Sequence, residues 1–373
     1  MHKILLAINK FSLGGAERLV IDQANHLHSQ HFAVHTLTLL PEDKTSLKTE
    51  LRIPPENQHY VCVRNMLDIS ACLKLAGFIR EQQFDAVITN LFLANTFVRA
   101  AAFFAGLKNV FSYEHSIYRN KRKWQIMTDR LLAPRTKKIF VGSQDVLDFT
   151  AVQERLPREQ FVLNYNAADF KKLSISKNRR NELRRTYGIS EESVLVVAVG
   201  RLIEQKGHRY LIEAFSRLPE KAQLLIFGAG TLENDLERQI KSFALEKRVR
   251  LAGIANMSDI LSGADIFCLS SLWEGLSVAL VQAMAAGKAI VATDVSGTNE
   301  AIENEGCCLL VPPAEPYALA TALQRMMNDA GLREQLGSSA QKASTRFSIE
   351  ENVKRLVGAL NSQFLPRGPA GLN

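Results

Sequence analysis

Residues 265–294 read DIFCLSSLWEGLSVALVQAMAAGKAIVATD. The run DIFCLS (265–270) is short and mostly apolar, which reads as a buried strand, and AIVATD (289–294) repeats the pattern. Between them lie a small turn around Glu274 and a helix-like run, with Ser277 placed as N-cap and Val278 and Leu280 in the first turn. Strand, helix, strand in that order predicts a parallel sheet covered on both faces.

The same unit recurs along the chain in both directions. In the second half the other strand candidates are VLVVAVG (194–200), QLLIFG (223–228), RVRLAG (248–253) and CCLLV (307–311). In the first half they are KILLAIN (3–9), AVHTLTLL (33–40), HYVCV (59–63), FDAVITN (84–90), NVFSYEH (109–115) and KKIFVGS (137–143). Helical stretches such as 15–30, 70–83 and 92–106 separate them. The expected fold is α/β, with two doubly wound Rossmann-like domains facing a cleft. The N-terminal domain spans 1–170 and the C-terminal one 193–345, joined by a basic linker at 171–192, where apolar pattern gives way to charge. IEENVKRLVGALNSQF (349–364) reads as a last amphipathic helix within a segment 346–365, and PRGPAGLN (366–373) as a frayed tail.

Composition agrees with this division. At 373 residues, 46% apolar and 23% charged, the chain matches a soluble protein of two domains. No apolar run approaches the roughly 20 residues that span a bilayer. The start, MHKILLAINKF, is too short for a signal-peptide core and reads as a first strand, so a cytoplasmic location is expected. Cys62, Cys72, Cys268, Cys307 and Cys308 show no zinc spacing, and an odd count with one adjacent pair makes a poor disulfide framework. Buried reduced thiols are expected.

The net charge of +8 is uneven. Residues 117–138 hold Arg119, Lys121, Arg122, Lys123, Arg130, Arg135, Lys137 and Lys138 against Asp129. Residues 171–187 hold Lys171, Lys172, Lys177, Arg179, Arg180, Arg184 and Arg185 against Glu182. Such patches either face solvent or attract anionic lipid or a phosphorylated substrate. Nucleic acid is not expected, because no aromatic platform or helix-turn-helix pattern accompanies the cations.

Ligands of open α/β sheets bind at the carboxyl ends of strands, so the loops there carry the candidates. After the first strand, Gly14 and Gly15 open a helix; they serve a tight turn or let a ligand approach the backbone. The pattern is not G-x-G-x-x-G, so a dinucleotide fingerprint is absent. After 194–200 come Arg201 and Lys206, cations suited to a diphosphate or to an exposed basic loop. After 265–270, Glu274 precedes the N–H groups of Leu276, Ser277 and Val278 at a helix start, where sugar hydroxyls or phosphate oxygens can be received. Gln282 stands just over a turn into that helix. His115 ends a strand as part of SYEHS and is read either as structural or as an acid, base or positioning group. No H-E-x-x-H and no D-x-D of the kind that holds a metal with a nucleotide occurs, so no metal is expected.

Taken together, GGAE (14–17), EH (114–115), NAAD (166–169), GRLIEQKG (200–207) and EGLSVALVQAMAAGKAIVATDVSGTNEAI (274–302) resemble the family 4 retaining glycosyltransferases of GT-B fold. The pieces stand in the family's order and span nearly the whole chain. The resemblance implies that the C-terminal domain binds an activated sugar nucleotide, UDP- or GDP-linked, and the N-terminal domain a glycan or lipid-linked acceptor. It implies that Arg201 and Lys206 hold the donor diphosphate, and that Glu274 with the backbone of Gly275, Leu276 and Ser277 holds the donor sugar. Gly15 would lie near the phosphates and His115 near the anomeric carbon, while the final helix returns to the first domain. No separate cofactor is implied.

One departure stands out. The family's E-x7-E pattern has its second Glu at 282, where it binds the nucleotide ribose; here the residue is Gln282. An amide keeps one acceptor and loses the charge, a difference of about 1–2 kcal/mol, or roughly tenfold in donor affinity. Asn90 stands where relatives often carry His. The expected activity is transfer of a sugar to a hydroxyl with retention of configuration, in cell-surface polysaccharide or lipopolysaccharide assembly. The alternatives are a nucleotide-sugar-binding scaffold subunit without activity and a sugar-nucleotide epimerase of the same fold. Within 117–138, Trp124, Ile126, Met127, Leu131 and Leu132 interleave with the cations, either as a helix packed on the sheet or as a contact with an anionic membrane, giving a peripheral position on its inner face.

Overall fold

The computed structural model describes residues 1–30, 32–42, 46–302 and 306–362. The tail 366–373 and the end of the last predicted helix lie outside the described residues. The chain forms two compact units, one of Met1–Ala168 together with the chain from Ile349 onward, the other of Asp169–Ser348.

The first unit runs β1 (Lys3–Ile8), α1 (Gly15–Ser29), β2 (Ala33–Thr38), β3 (Gln58–Tyr60), α2 (Ile69–Gln82), β4 (Ala86–Asn90), α3 (Phe92–Ala105), β5 (Val110–Glu114), α4 (Lys123–Leu132), β6 (Lys138–Val141), α5 (Gln144–Glu154) and β7 (Phe161–Leu163). The strands make a sheet of seven among the described residues, ordered β3-β2-β1-β4-β5-β6-β7 and parallel throughout. β1 shows why its sequence is apolar at every position. Ile4, Leu6 and Ile8 enter a core shared with α1, while Leu5 and Ala7 enter a second core under α2 and α3. A strand buried on both faces has no polar side to alternate.

The second unit runs α6 (Lys177–Tyr187), β8 (Val194–Val199), α7 (His208–Phe215), β9 (Ala222–Phe227), α8 (Glu233–Ser242), β10 (Val249–Gly253), α9 (Met257–Gly263), β11 (Ile266–Leu269), α10 (Val278–Ala285), β12 (Ala289–Thr293), α11 (Ser296–Ala301), β13 (Leu309–Val311), α12 (Pro316–Asn328) and α13 (Ala330–Ser344). Its sheet has six strands among the described residues, ordered β10-β9-β8-β11-β12-β13 and again parallel. The last helix, α14 (Ile349–Asn361), belongs to the first unit. It puts Ile349, Val353, Leu356 and Leu360 into the α1 core, and its buried Asn352 accepts from Gln23 Nε2 at 2.8 Å.

Three expectations need correction. The basic stretch 171–192 is not an open linker: it holds α6, capped by Ser176, and lies inside the second unit. Part of its charge is taken up in ion pairs, Arg179 with Asp259, and Arg180 and Arg184 with Asp265 at 3.0 and 3.1 Å. Arg184 is buried and donates also to the carbonyls of Ser190 and Ser193, each at 2.7 Å. A buried guanidinium stripped of its carboxylate costs about 3–5 kcal/mol, so these contacts tie a polar helix firmly to its sheet. The patch at 117–138 is thinned in the same way. Lys121 is buried against Glu114, Asp129 and Glu154, and Asp129 also pairs with Arg99 at 3.2 Å. The thiols are all free, as expected, but Cys62 is exposed and Cys72 and Cys308 are half-buried.

Candidate active site

In the second sheet the strand order reverses between β8 and β11, and a crevice opens at such a switch point beyond the carboxyl ends of the two strands. The loop after β8 carries Arg201 and Lys206; the loop after β11 carries Glu274. Lys206 Nζ is paired with Glu274 Oε1. The same carboxylate accepts from Ser271 Oγ at 2.8 Å and from Gln205 Nε2 at 3.4 Å. Gln205 also donates to the Trp273 carbonyl at 3.0 Å, so one amide ties both loops together. Glu274 is only 5% exposed. Three donors hold it in one orientation and leave it lone pairs for a ligand's hydroxyl groups.

Two glycines let these loops meet. Gly207 sits at φ +60°, and a Cβ there would fall 2.1 Å from the Ser270 carbonyl oxygen. Gly297 at the start of α11 packs against the Glu274 turn so closely that a Cβ would overlap the Gly275 carbonyl oxygen at 0.9 Å.

Ser277 caps α10 through its hydroxyl, which accepts from the Leu280 N–H at 3.4 Å. The N–H groups of Gly275, Ser277, Val278 and Ala279 donate to no protein acceptor among the described residues. Those donors and the helix dipole favour negative charge beside the Lys206–Glu274 pair. Leu276 is buried. Arg201 is exposed, and its guanidinium has no protein partner among the described residues. The amide of Gln282 is half-buried and likewise uncommitted. The structure thus gathers Lys206, Glu274 and the 275–277 turn, with Arg201 and Gln282 on the elements that carry them.

Gly15 and His115 lie in the first unit. Gly15 opens α1 after β1, and Glu17 folds back onto that turn: a Cβ on Gly14 would meet its carboxylate at 2.2 Å. The positive end of α1 therefore already faces an acid. His115 follows β5, with its ring between two amides. Nε2 lies 2.9 Å from Asn90 Oδ1 and Nδ1 lies 3.2 Å from Asn166 Oδ1. Both amides are oriented by their other ends, which donate to the carbonyls of Ala7 and His115. Tyr113 stacks on the ring with centroids 4.3 Å apart, and Asn352 of α14 donates to the Tyr113 hydroxyl at 3.2 Å. The strained turn beside it, Leu91 at φ +67°, heads α3. Buried and neutral, the ring has one N–H to donate to these two oxygens, and that bond ties the end of β5 to a neighbouring loop.

Burial pushes His115 down to about 4, against the pull of the Asn166 oxygen toward the charged form. Among the described residues no carboxylate is hydrogen-bonded to the ring to offset the burial. The unfolded chain takes up this proton near its ordinary value and the folded chain only near 4, so stability present above that ordinary value is lost as pH falls between the two. His115→Gln is expected to lessen the loss of stability between about pH 7 and about pH 5, by about tenfold in the unfolding constant. Chemical denaturation of both proteins at the two pH values reads it, and parallel losses would show that the ring does not titrate this way.

Sequence reasoning missed Ser271, Gln205 and Asn166 as partners of the site residues. Gln205 was within reach, since it stands between Arg201 and Lys206 in GRLIEQKG. The His115 clamp needed the pairing of β4 with β5, which brings Asn90 beside Tyr113.

Known proteins share this chain's fold and family. The model of glycosyl transferases group 1 matches residues 179–343, and that of glycosyltransferase family 4 matches residues 13–172. The alpha-D-kanosaminyltransferase of Streptomyces kanamyceticus is 31% identical over 212 residues, 55% of each chain, so the match spans about half the length of that relative. A Campylobacter jejuni N-acetylgalactosaminyltransferase, named for an acceptor carrying diphospho-undecaprenol, is 26% identical over 96% of this chain and 99% of its own. Anabaena HepE, solved in complex with UDP-glucose, matches with a TM-score of 0.88 at 22% identity, over 97% of this chain and 100% of that one. Two Rossmann-like domains with these matches define a glycosyltransferase of GT-B fold. The chain belongs to the family 4 type of these enzymes, its two units matching the two family models in turn.

Proposed function

We propose that the protein transfers a sugar, with retention of configuration, from a UDP- or GDP-linked donor to a hydroxyl of a glycan or lipid-linked acceptor in cell-surface polysaccharide or lipopolysaccharide assembly. The observation that carries this is the Lys206–Glu274 pair at the β8/β11 switch point, beside N–H groups and an Arg201 that have no partner among the described residues. Cations and helix N–H groups suit a departing diphosphate, whose charge grows as the sugar–oxygen bond breaks. Arg201 and Lys206 meet that charge without a metal in this reading. Glu274 accepts hydrogen bonds from the donor sugar's hydroxyls and fixes the sugar's tilt. It is already shared among Lys206, Ser271 and Gln205, so it serves as an orienting acceptor and not as a covalent nucleophile. The acceptor hydroxyl then attacks from the face the diphosphate leaves and gives its proton to the departing diphosphate oxygen.

The name of the Campylobacter jejuni relative supports the acceptor class, since it gives a diphospho-undecaprenol-linked sugar. Such a substrate lies at a membrane. No described helix is long and apolar enough to cross one, but α4 exposes Trp124, Met127 and Leu131 at helical spacing, with Arg122 and Lys123 at its start. We place this stripe against an anionic bilayer.

The test uses purified protein with a set of UDP- and GDP-sugars. One of them is expected to raise the melting temperature, by the equivalent of about 2.7 kcal/mol at roughly 100 times its dissociation constant. With that donor and a lipid-linked acceptor, NMR of the product is expected to show the donor's own anomeric configuration. An inverted product removes the retaining mechanism; turnover of donor to an epimer without acceptor removes the transferase reading.

A further inference from the structure

We propose that Asn352 of α14 is a positioning residue for His115, acting through Tyr113 and Tyr165 on the face and the edge of the imidazole ring. Its consequence for turnover rests on the transferase reading above; the placement itself rests on contacts within the first unit.

α14 turns Ile349, Val353, Leu356 and Leu360 into the α1 core. Asn352 shares their inward face and is 1% exposed, where the helical period calls for another apolar side chain. A buried amide is tolerated when its donors and acceptor are engaged. Here Oδ1 accepts from Gln23 Nε2 at 2.8 Å, while Nδ2 donates to the Tyr113 hydroxyl at 3.2 Å and to the Tyr165 carbonyl at 2.7 Å. Those partners also fix which end of the amide is which, because the opposite orientation would set two oxygens against each other at Tyr165.

Two paths lead from this amide to His115. The first runs through Tyr113. Its hydroxyl takes a hydrogen bond from Asn352 and gives one to the Asn164 carbonyl, which fixes the reach and tilt of the ring. Residues two apart on extended chain project to the same side, and the Tyr113 and His115 rings lie 3° from parallel with centroids 4.3 Å apart. The second path runs through the Tyr165–Asn166 peptide, which is held at both ends. Asn352 donates to its carbonyl, and its N–H donates to the Gly142 carbonyl at 3.2 Å. Asn166 then presents Oδ1 to His115 Nδ1 and donates through Nδ2 to the His115 carbonyl at 3.0 Å. Gly142 is required for this, since a Cβ there would fall 2.6 Å from Asn166 Oδ1.

α14 grips the same stretch at two further points. The Ile349 N–H donates to the Ala168 carbonyl at 3.0 Å, and the Arg355 guanidinium lies 5.4 Å from the centre of the Tyr165 ring. A leucine at 352 keeps the helix apolar and buried but gives nothing to the Tyr113 hydroxyl or the Tyr165 carbonyl. The ring of His115 then loses its fixed stacking partner and its fixed amide together, at the strand end where open α/β sheets bind ligands.

The experiment uses the full chain with labelled histidine, the His115 ring resonances being assigned by their loss in His115→Gln. Asn352→Leu is expected to move those resonances and to lower kcat with a lipid-linked acceptor by about tenfold, with the dissociation constant of the donor nucleotide within about twofold of wild type. Val353→Ala loosens the same helix without touching the amide; it is expected to lower the melting temperature and leave the resonances and kcat at their wild-type values. Tyr113→Phe removes only the linking hydroxyl and should move the same resonances, and Asn352→Leu should have a smaller effect in that background than in wild type. His115 resonances unmoved by Asn352→Leu, or moved equally by Val353→Ala, overturn the inference, and so does a wild-type kcat in Asn352→Leu. If Asn352→Leu does not fold, Tyr113→Phe decides, and unmoved resonances there overturn it. A wild type that transfers nothing, with resonances that move as described, removes the transferase reading and leaves the Asn352–His115 link standing.

Discussion

Glu274→Ala is expected to lower turnover by about a hundredfold to a thousandfold, the range seen when one preorganised polar contact to a transition state is removed. The size follows from how the side chain is held. Ser271, Gln205 and Lys206 fix both carboxylate oxygens, so the cost of aiming the group is met before any ligand arrives. Alanine removes the acceptor and leaves the three donors without a common partner. Glu274→Gln separates charge from shape: it can still accept from Ser271 but weakens the tie to Lys206, and its turnover should fall between the two. Gln282→Ala is expected to change the apparent donor affinity by no more than about tenfold with little loss of turnover, because a neutral amide gives one modest hydrogen bond. Gln282→Glu should tighten donor binding by a similar factor. Steady-state kinetics on the four variants would read these outcomes, and equal turnover losses at 274 and 282 would undo the division of roles.

Lys206→Ala is the second large effect. Donor affinity should fall by about a hundredfold, within the 2–5 kcal/mol lost when one member of a buried charge pair is truncated. Two losses combine: the diphosphate loses a cation, and Glu274, nearly out of solvent, keeps its charge without its partner. Arg201→Ala should cost less, since that guanidinium is exposed and solvent screens it. Calorimetric titration with the donor nucleotide compares them; a larger loss at Arg201 than at Lys206 would place the diphosphate farther out along the loop.

Much of this was legible in the residues. Parallel strands buried on both faces announce themselves as unbroken apolar runs, and β1, β8, β11 and β12 lie within the stretches expected of them. The Ser277 cap was legible because capping is local. β7 was not: Phe161–Leu163 is three residues long and follows a charged segment, so no window of periodicity contains it. Its place at the sheet edge comes from pairing with β6, a tertiary fact. The charged run of α6 misled for the opposite reason. Charge without apolar period resembles a linker unless Asp259 and Asp265 are known to lie opposite it. At the site, strand-end position singled out Lys206 and Glu274, while their direct pairing required two loops brought together by the order β8-β11. Gly15 and His115 remain the weaker pair of expectations. Glu17 stands against the first, and the ring of the second is buried between two asparagine oxygens, to one of which it can donate.

The most direct measurement is a crystal structure of the protein with a non-hydrolysable donor analogue. The expected result has the diphosphate within hydrogen-bond reach of Lys206 and the N–H groups at the head of α10, and a sugar hydroxyl on Glu274. A diphosphate bound elsewhere, with the Lys206–Glu274 pair undisturbed and untouched by ligand, contradicts it.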